Sequence, residues 1–116
     1  MSLQNKFTVG LVQMALSADT NDNLKRAITR IEEAAGKGAQ LICLPELFRS
    51  HYFCQTENHA MFDLAEPVPG PTTQTLADVA KKLRLVIIAP VFERRAAGLY
   101  HNSAVILDST GEMAGL

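Results

Sequence analysis

The stretch Leu41-Ile42-Cys43-Leu44-Pro45-Glu46-Leu47-Phe48 holds the residue best placed for chemistry. An almost continuous apolar run reads as a buried strand, and Glu46 follows just past its end, where the chain leaves the sheet. In open α/β sheets that is the end at which ligands bind. Pro45 before the carboxylate and Leu47-Phe48 after it predict an apolar surround. Desolvation there would favour proton uptake, as a general base requires. The competing reading is a glutamate that caps the next segment or pairs with an arginine, since ion-pair networks also occupy strand ends. Other candidates carry less. Cys54 lies near His51 and His59 at a spacing a metal would tolerate, but three loose ligands without a fourth are a weak signal for zinc. Nothing visible would orient a Cys54–His51 nucleophile pair. Cys43 reads as a small core residue, and Lys81 and Lys82 as the outward side of a helix.

The elements that must position Glu46 follow from changes of period along the chain. Phe7 to Met14 predicts a buried strand, with Gly10 allowing close packing against its backbone. Ser17 to Asn23 is a cluster of turn and cap formers. Leu24, Ala27, Ile28, Ile31, Ala34 and Ala35 then recur at helical steps, with Thr20 or Asn21 as the expected cap and Gly36 and Gly38 as the stop. Ala39 to Leu44 is the second strand, parallel to the first across this helical crossover. Phe48 to Pro71 has no clear period and predicts a long excursion, with a short helix near His59 to Ala65. A helix begins at Gly70-Pro71 and buries Leu76, Val79, Ala80 and Leu83. Leu85 to Phe92 is a third strand, with a bulge or unpaired position expected at Pro90. After a turn over Arg94 to Gly98, Tyr100 to Asp108 is a fourth strand. Ser109 to Gly111 turns into a fifth, beginning at Glu112 and reaching Leu116. No closing helix follows, so one sheet face is expected to lack cover, and an apolar patch beyond about 400 Å² there would mark a missing partner surface.

Composition narrows the function classes. The 116 residues allow one compact domain, and 47% hydrophobic with 20% charged residues is globular rather than disordered. A formal net charge of −1 lacks the basic footprint of a nucleic-acid binder. No apolar run is long enough for a membrane span, and Met1 to Lys6 has no secretory pattern and reads as a leader. Two cysteines are too few for a disulfide scaffold and point to a reduced, cytoplasmic-type protein. Gln13-Met14-Ala15-Leu16 after the first strand leaves no glycine-rich turn for a nucleotide.

Taken in order, Val12-Gln13-Met14, Asn23-Leu24, Gly38-Ala39, Leu44-Pro45-Glu46-Leu47-Phe48, Pro69-Gly70-Pro71, Ile87-Ile88-Ala89-Pro90 and Tyr100-His101-Asn102-Ser103-Ala104 resemble the N-terminal half of the nitrilase (carbon–nitrogen hydrolase) superfamily. The likeness runs from Thr8 to Leu116. Phe48 through Tyr52-Phe53-Cys54-Gln55 looks most like the N-carbamoylputrescine amidases, with β-ureidopropionases near. The resemblance implies an α/β chain, residues 7–116, forming the first half of an α-β-β-α sandwich truncated before its second half. It implies hydrolysis of a small carbon–nitrogen bond through a cysteine thioester, with a glutamate base and a stabilising lysine and with no metal or cofactor. Glu46 matches that glutamate, and Tyr52 and Phe53 match positions at the pocket mouth. His101 and Asn102 match a strand below the site and are expected to be structural, Asn102 holding backbone groups. The lysine and the nucleophile have no match in these residues, so the chain alone is expected to be inactive. A small-molecule substrate and a homo-oligomer are implied. The alternatives are a non-catalytic α/β binding or assembly module and another amidohydrolase of the ω-amidase or β-ureidopropionase type.

Overall fold

Asp19, not Thr20 or Asn21, starts the first helix. Its carboxylate accepts from the backbone N–H groups of Asn21 and Asp22 at 3.1 and 3.0 Å, and α1 runs Thr20–Gly36. Three adjacent residues could each cap, and the one with extended backbone directly before the helix does so. The computed structural model describes residues 6–116, so most of the expected leader lies outside the described residues. The remaining elements are β1 (Val9–Leu11), β2 (Leu41–Cys43), a short 3-10 helix at His59–Leu64, α2 (Pro71–Leu83), β3 (Val86–Ala96), β4 (Leu99–Leu107) and β5 (Met113–Gly115). The strands form one sheet in the order β1-β2-β3-β4-β5, parallel up to β3 and antiparallel beyond it. The mixed α/β class, the parallel crossover from β1 to β2 and the short helix agree with the sequence reading, and the pairing of β2 with β3 adds a second parallel crossover.

Both helices cover the same face. Ala27 and Ile31 of α1 and Leu76 and Ala80 of α2 join one cluster with Ile42, Leu44, Ile87, Ala89, Val91, Val105 and Leu107. Fully burying each of its leucine, isoleucine and valine side chains contributes about 1.5–3 kcal/mol, so this cluster dominates the stability of the fold. Gly10 explains how α1 comes close: a Cβ there would stand 3.1 Å from that of Ala34 and 3.2 Å from that of Ala39. Gly70, the cap of α2, is fixed by a different approach, since its Cβ would lie 2.2 Å from the Pro67 carbonyl oxygen.

One strand expectation is corrected and another is met in part. The run Phe7 to Met14 forms only a three-residue edge strand, and it is not buried: Phe7, Val9 and Leu11 are exposed, Leu11 at 79%. Val9 and Leu11 pair in register with Leu41 and Cys43 and share their face, the one without helices, while Gly10 faces α1. Pro90 causes no bulge, and the unpaired position expected there is found on its β2 side only. It pairs regularly with Ala104, and the register shift falls between Arg94 and Ala96, so β3 runs on through the predicted turn. Pro90 has the same parity as Ile88, whose carbonyl accepts from Leu44 at the end of β2, and as Phe92, whose carbonyl accepts from Glu66. It therefore sits in the gap between β2 and the returning excursion, where no ladder bond is lost.

Candidate active site

Glu46 leaves the end of β2 on a tightly held turn. Leu47 takes a left-handed conformation (φ 48°), unusual for a residue with a branched side chain and costing on the order of 1 kcal/mol or more. The turn sends Leu47 and Phe48 into the core, where Phe48 is completely buried. Beneath it, Arg49 acts as a clamp. Its guanidinium donates to the Thr20 carbonyl at 3.1 Å, to the Thr72 hydroxyl at 2.7 Å and to the Asn21 side chain at 2.9 Å, joining the starts of both helices. Glu66 accepts from the Thr72 backbone and hydroxyl and lies 3.6 Å from Arg49. The buried amide of Asn23 donates to the Arg49 carbonyl at 2.9 Å and to that of Ser17 at 2.8 Å. Five anchors thus fix the backbone on which Glu46 stands.

The carboxylate itself is not in an apolar recess. Glu46 is exposed, which corrects the expected desolvation. The physical reason is the turn: Leu47 and Phe48, which were to surround Glu46, point into the core, while Glu46 reaches over the helix-free face. It is not locked to an arginine either, for among the described residues it makes no ion pair. Its Oε1 accepts from the Asn102 side-chain amide at 2.8 Å. This corrects the expectation for Asn102, whose amide serves a side chain rather than backbone groups.

Asn102 also lines a cavity of about 590 Å³ beside Glu46. Its wall is aromatic. Phe53 packs at a tilt against Phe92 with 4.8 Å between ring centroids, Phe62 likewise against Tyr100 at 4.5 Å, and Phe92 lies 5.7 Å from Tyr100. Phe53 therefore stands in the cavity wall. Tyr52 is outside that wall and half exposed. Its hydroxyl is held above the usual tyrosine range, chiefly by its polar contact with Cys54 and then by the charges of Cys54 and Glu46. Tyr52, Cys54 and Glu46 thus share one neighbourhood. Among the described residues no three His, Cys, Asp or Glu side chains converge as metal ligands, so Cys54, His51 and His59 form no such cluster. Lys81 and Lys82 are exposed on α2, and both cysteines are free.

The carbon–nitrogen hydrolase family matches residues 8–116. The chain belongs to that family. It is 37% identical over 110 residues to the N-carbamoylputrescine amidase of Solanum lycopersicum, a match covering 94% of this chain and 36% of the relative. It is 34% identical over 113 residues to the chloroplastic omega-amidase of Arabidopsis thaliana, covering 93% of this chain and 30% of that one. In three dimensions it superposes on the carbon–nitrogen hydrolase of Helicobacter pylori with a TM-score of 0.88 at 36% identity, over 94% of this chain and 38% of that chain. The chain therefore spans about a third of the length of these relatives. Against this family background the site is a carboxylate with one oxygen held and the other without a partner among the described residues, on a rigid turn beside an aromatic wall. A carboxylate so placed can take a proton.

Sequence reasoning missed two polar residues of the fold. Asn23 is buried and pins the Glu46 turn. Glu93, 2% exposed, accepts from Arg95 at 2.8 and 3.0 Å and from the Ser103 hydroxyl at 2.7 Å. The Arg95 hydrogen bonds hold its carboxyl below the usual range against the opposing pull of burial. A signal for Glu93 existed: it falls at the buried parity of β3, with Arg95 two residues on.

Proposed function

We propose that these residues supply the glutamate-bearing part of an N-carbamoylputrescine amidase. Glu46 takes the proton of a cysteine thiol, and the sulfur attacks the carbamoyl carbon. Ammonia leaves, and water then releases the remaining carbamate, which breaks down to putrescine and carbon dioxide. Per turnover one water is consumed, and one ammonia, one carbon dioxide and one putrescine form. The thiol and the lysine that would stabilise the tetrahedral intermediate are not matched within the 116 residues, so the chain alone is proposed to be inactive. Loss of a nucleophile costs on the order of a millionfold. Tyr52 and Phe53 are proposed to line the way in for substrate. No metal or cofactor takes part, and the whole protein is proposed to be a cytoplasmic homo-oligomer.

The observation that carries this reading is Glu46 itself, free of any cationic partner among the described residues and hydrogen-bonded by a neutral amide beside the aromatic cavity. The 34% identity to an omega-amidase favours a second reading, in which the same base serves hydrolysis of a small ω-amide. The test is ammonia release from N-carbamoylputrescine and from ω-amides by the 116-residue chain and by the complete translation product containing it. Activity confined to the complete product, with N-carbamoylputrescine preferred, is expected. Turnover by the 116-residue chain above its Glu46→Gln control would overturn the proposed inactivity. Preference for an ω-amide would select the second reading. Binding without any turnover would leave a non-catalytic module.

A further inference from the structure

Asparagine is out of place in the middle of a strand. Its side chain competes with the backbone for hydrogen bonds, and it is depleted in sheets. Asn102 nevertheless occupies β4, paired in register with Phe92 of β3, with His101 and Ser103 on either side. Its amide crosses 56 residues of sequence to donate to Glu46 Oε1 at 2.8 Å. The orientation is fixed by charge: turned over, the amide oxygen would face a carboxylate, and only the NH2 end is compatible. Both ends of the contact are rigid. Asn102 is held by regular β3–β4 pairing, and Glu46 by the left-handed Leu47 and the buried Phe48.

We infer that Asn102 is a positioning residue for Glu46, holding Oε1 so that Oε2 is the oxygen that takes the proton. The inference rests on the proposed role of Glu46 as base. A carboxylate on an exposed turn otherwise samples several rotamers and offers either oxygen. A hydrogen bond from a neutral donor removes that freedom and leaves the charge in place, whereas an arginine would quench the basicity of the group. The other titratable groups nearby are Tyr52 and Cys54 on the excursion and His101, whose charge bears on Glu93.

The contact is read directly by nuclear magnetic resonance on the 116-residue chain. The Asn102 side-chain amide signals are expected to move with pH along the titration of the Glu46 carboxyl carbon, and that movement is expected to vanish in Glu46→Gln. In Asn102→Asp two carboxyls share one site, and the Glu46 titration should split into two steps about one pH unit or more apart. Unchanged β3 and β4 backbone amide signals would show that the variants stay folded. Asn102 signals that ignore the Glu46 titration, or a single-step titration in Asn102→Asp, would overturn the inference. The wild-type and Glu46→Gln spectra decide it even if the aspartate variant does not fold.

In the complete translation product, Asn102→Ala should lower kcat about ten- to a hundredfold with little change in KM, the loss expected for a hydrogen bond to a charged group. An unchanged kcat, or a loss carried by KM alone, would overturn the positioning role. The two claims fail separately: coupled Asn102 and Glu46 signals together with a fully active Glu46→Gln enzyme would sink the base and leave the contact standing.

Discussion

The two faces of this sheet are made from the same strands and have different work. On one, Ile87, Ala89 and Val91 of β3 lie against Leu76 and Ala80 of α2 and are buried. On the other, Val86, Ile88, Pro90 and Phe92 alternate with them and are only half covered, while Val9, Leu11 and Ile106 are exposed. The first face supplies the burial that holds the fold. The second carries Asn102, receives Glu46 and opens into the aromatic cavity. The turn at Leu47 links them, since one residue drives into the core and its predecessor is left over the open face. Substitutions on the covered face should therefore cost stability, and those on the open face should cost chemistry.

The sharpest break of this comparison is Phe48→Ala, which removes the plug beneath the Glu46 turn. Truncating a fully buried phenylalanine costs about 3–5 kcal/mol, read as a lower urea midpoint, and Glu46 should lose its fixed position with it. Glu93→Gln is expected to cost less, about 1–3 kcal/mol, because it weakens the charged hydrogen bonds from Arg95 and Ser103. Its pH signature is specific. The folded Glu93 carboxyl titrates below its ordinary value, so its contribution is fully present above the ordinary carboxylate range and is lost as pH falls through the folded value. Acid unfolding of the wild type should thus be steeper than that of Glu93→Gln, which denaturation midpoints across the acid range would measure. Smallest is Ile106→Thr on the open face, expected within about 0.5 kcal/mol of wild type because the side chain is already 39% exposed. A loss there comparable to that of Phe48→Ala would erase the distinction between the faces.

Much of the frame was legible because its signals are local. The steps Leu24 to Ala35 gave α1, Gly70-Pro71 opened α2, and Gly10 marked the close approach of a helix. What could not be read depends on partners distant in sequence. A short apolar run such as Phe7 to Met14 looks buried whether or not anything lies across from it, and here its outward residues have no helix above them. Pro90 looked disruptive because its position opposite the end of β2 is a matter of sheet register. Glu46 was found by its place after β2, yet its exposure turns on the sign of one dihedral angle at Leu47. Its contact with Asn102, 56 residues away, has no local signature beyond an asparagine in a strand.

The account is tested most directly by the pH dependence of kcat/KM for N-carbamoylputrescine in the complete translation product, wild type against Glu46→Gln. Substitution of the proposed general base should lower the rate about 10²- to 10⁴-fold and abolish the acid limb, while the unfolding free energy stays within about 0.5 kcal/mol of wild type because the side chain is exposed. A Glu46→Gln enzyme that keeps its rate and its acid limb would contradict the account.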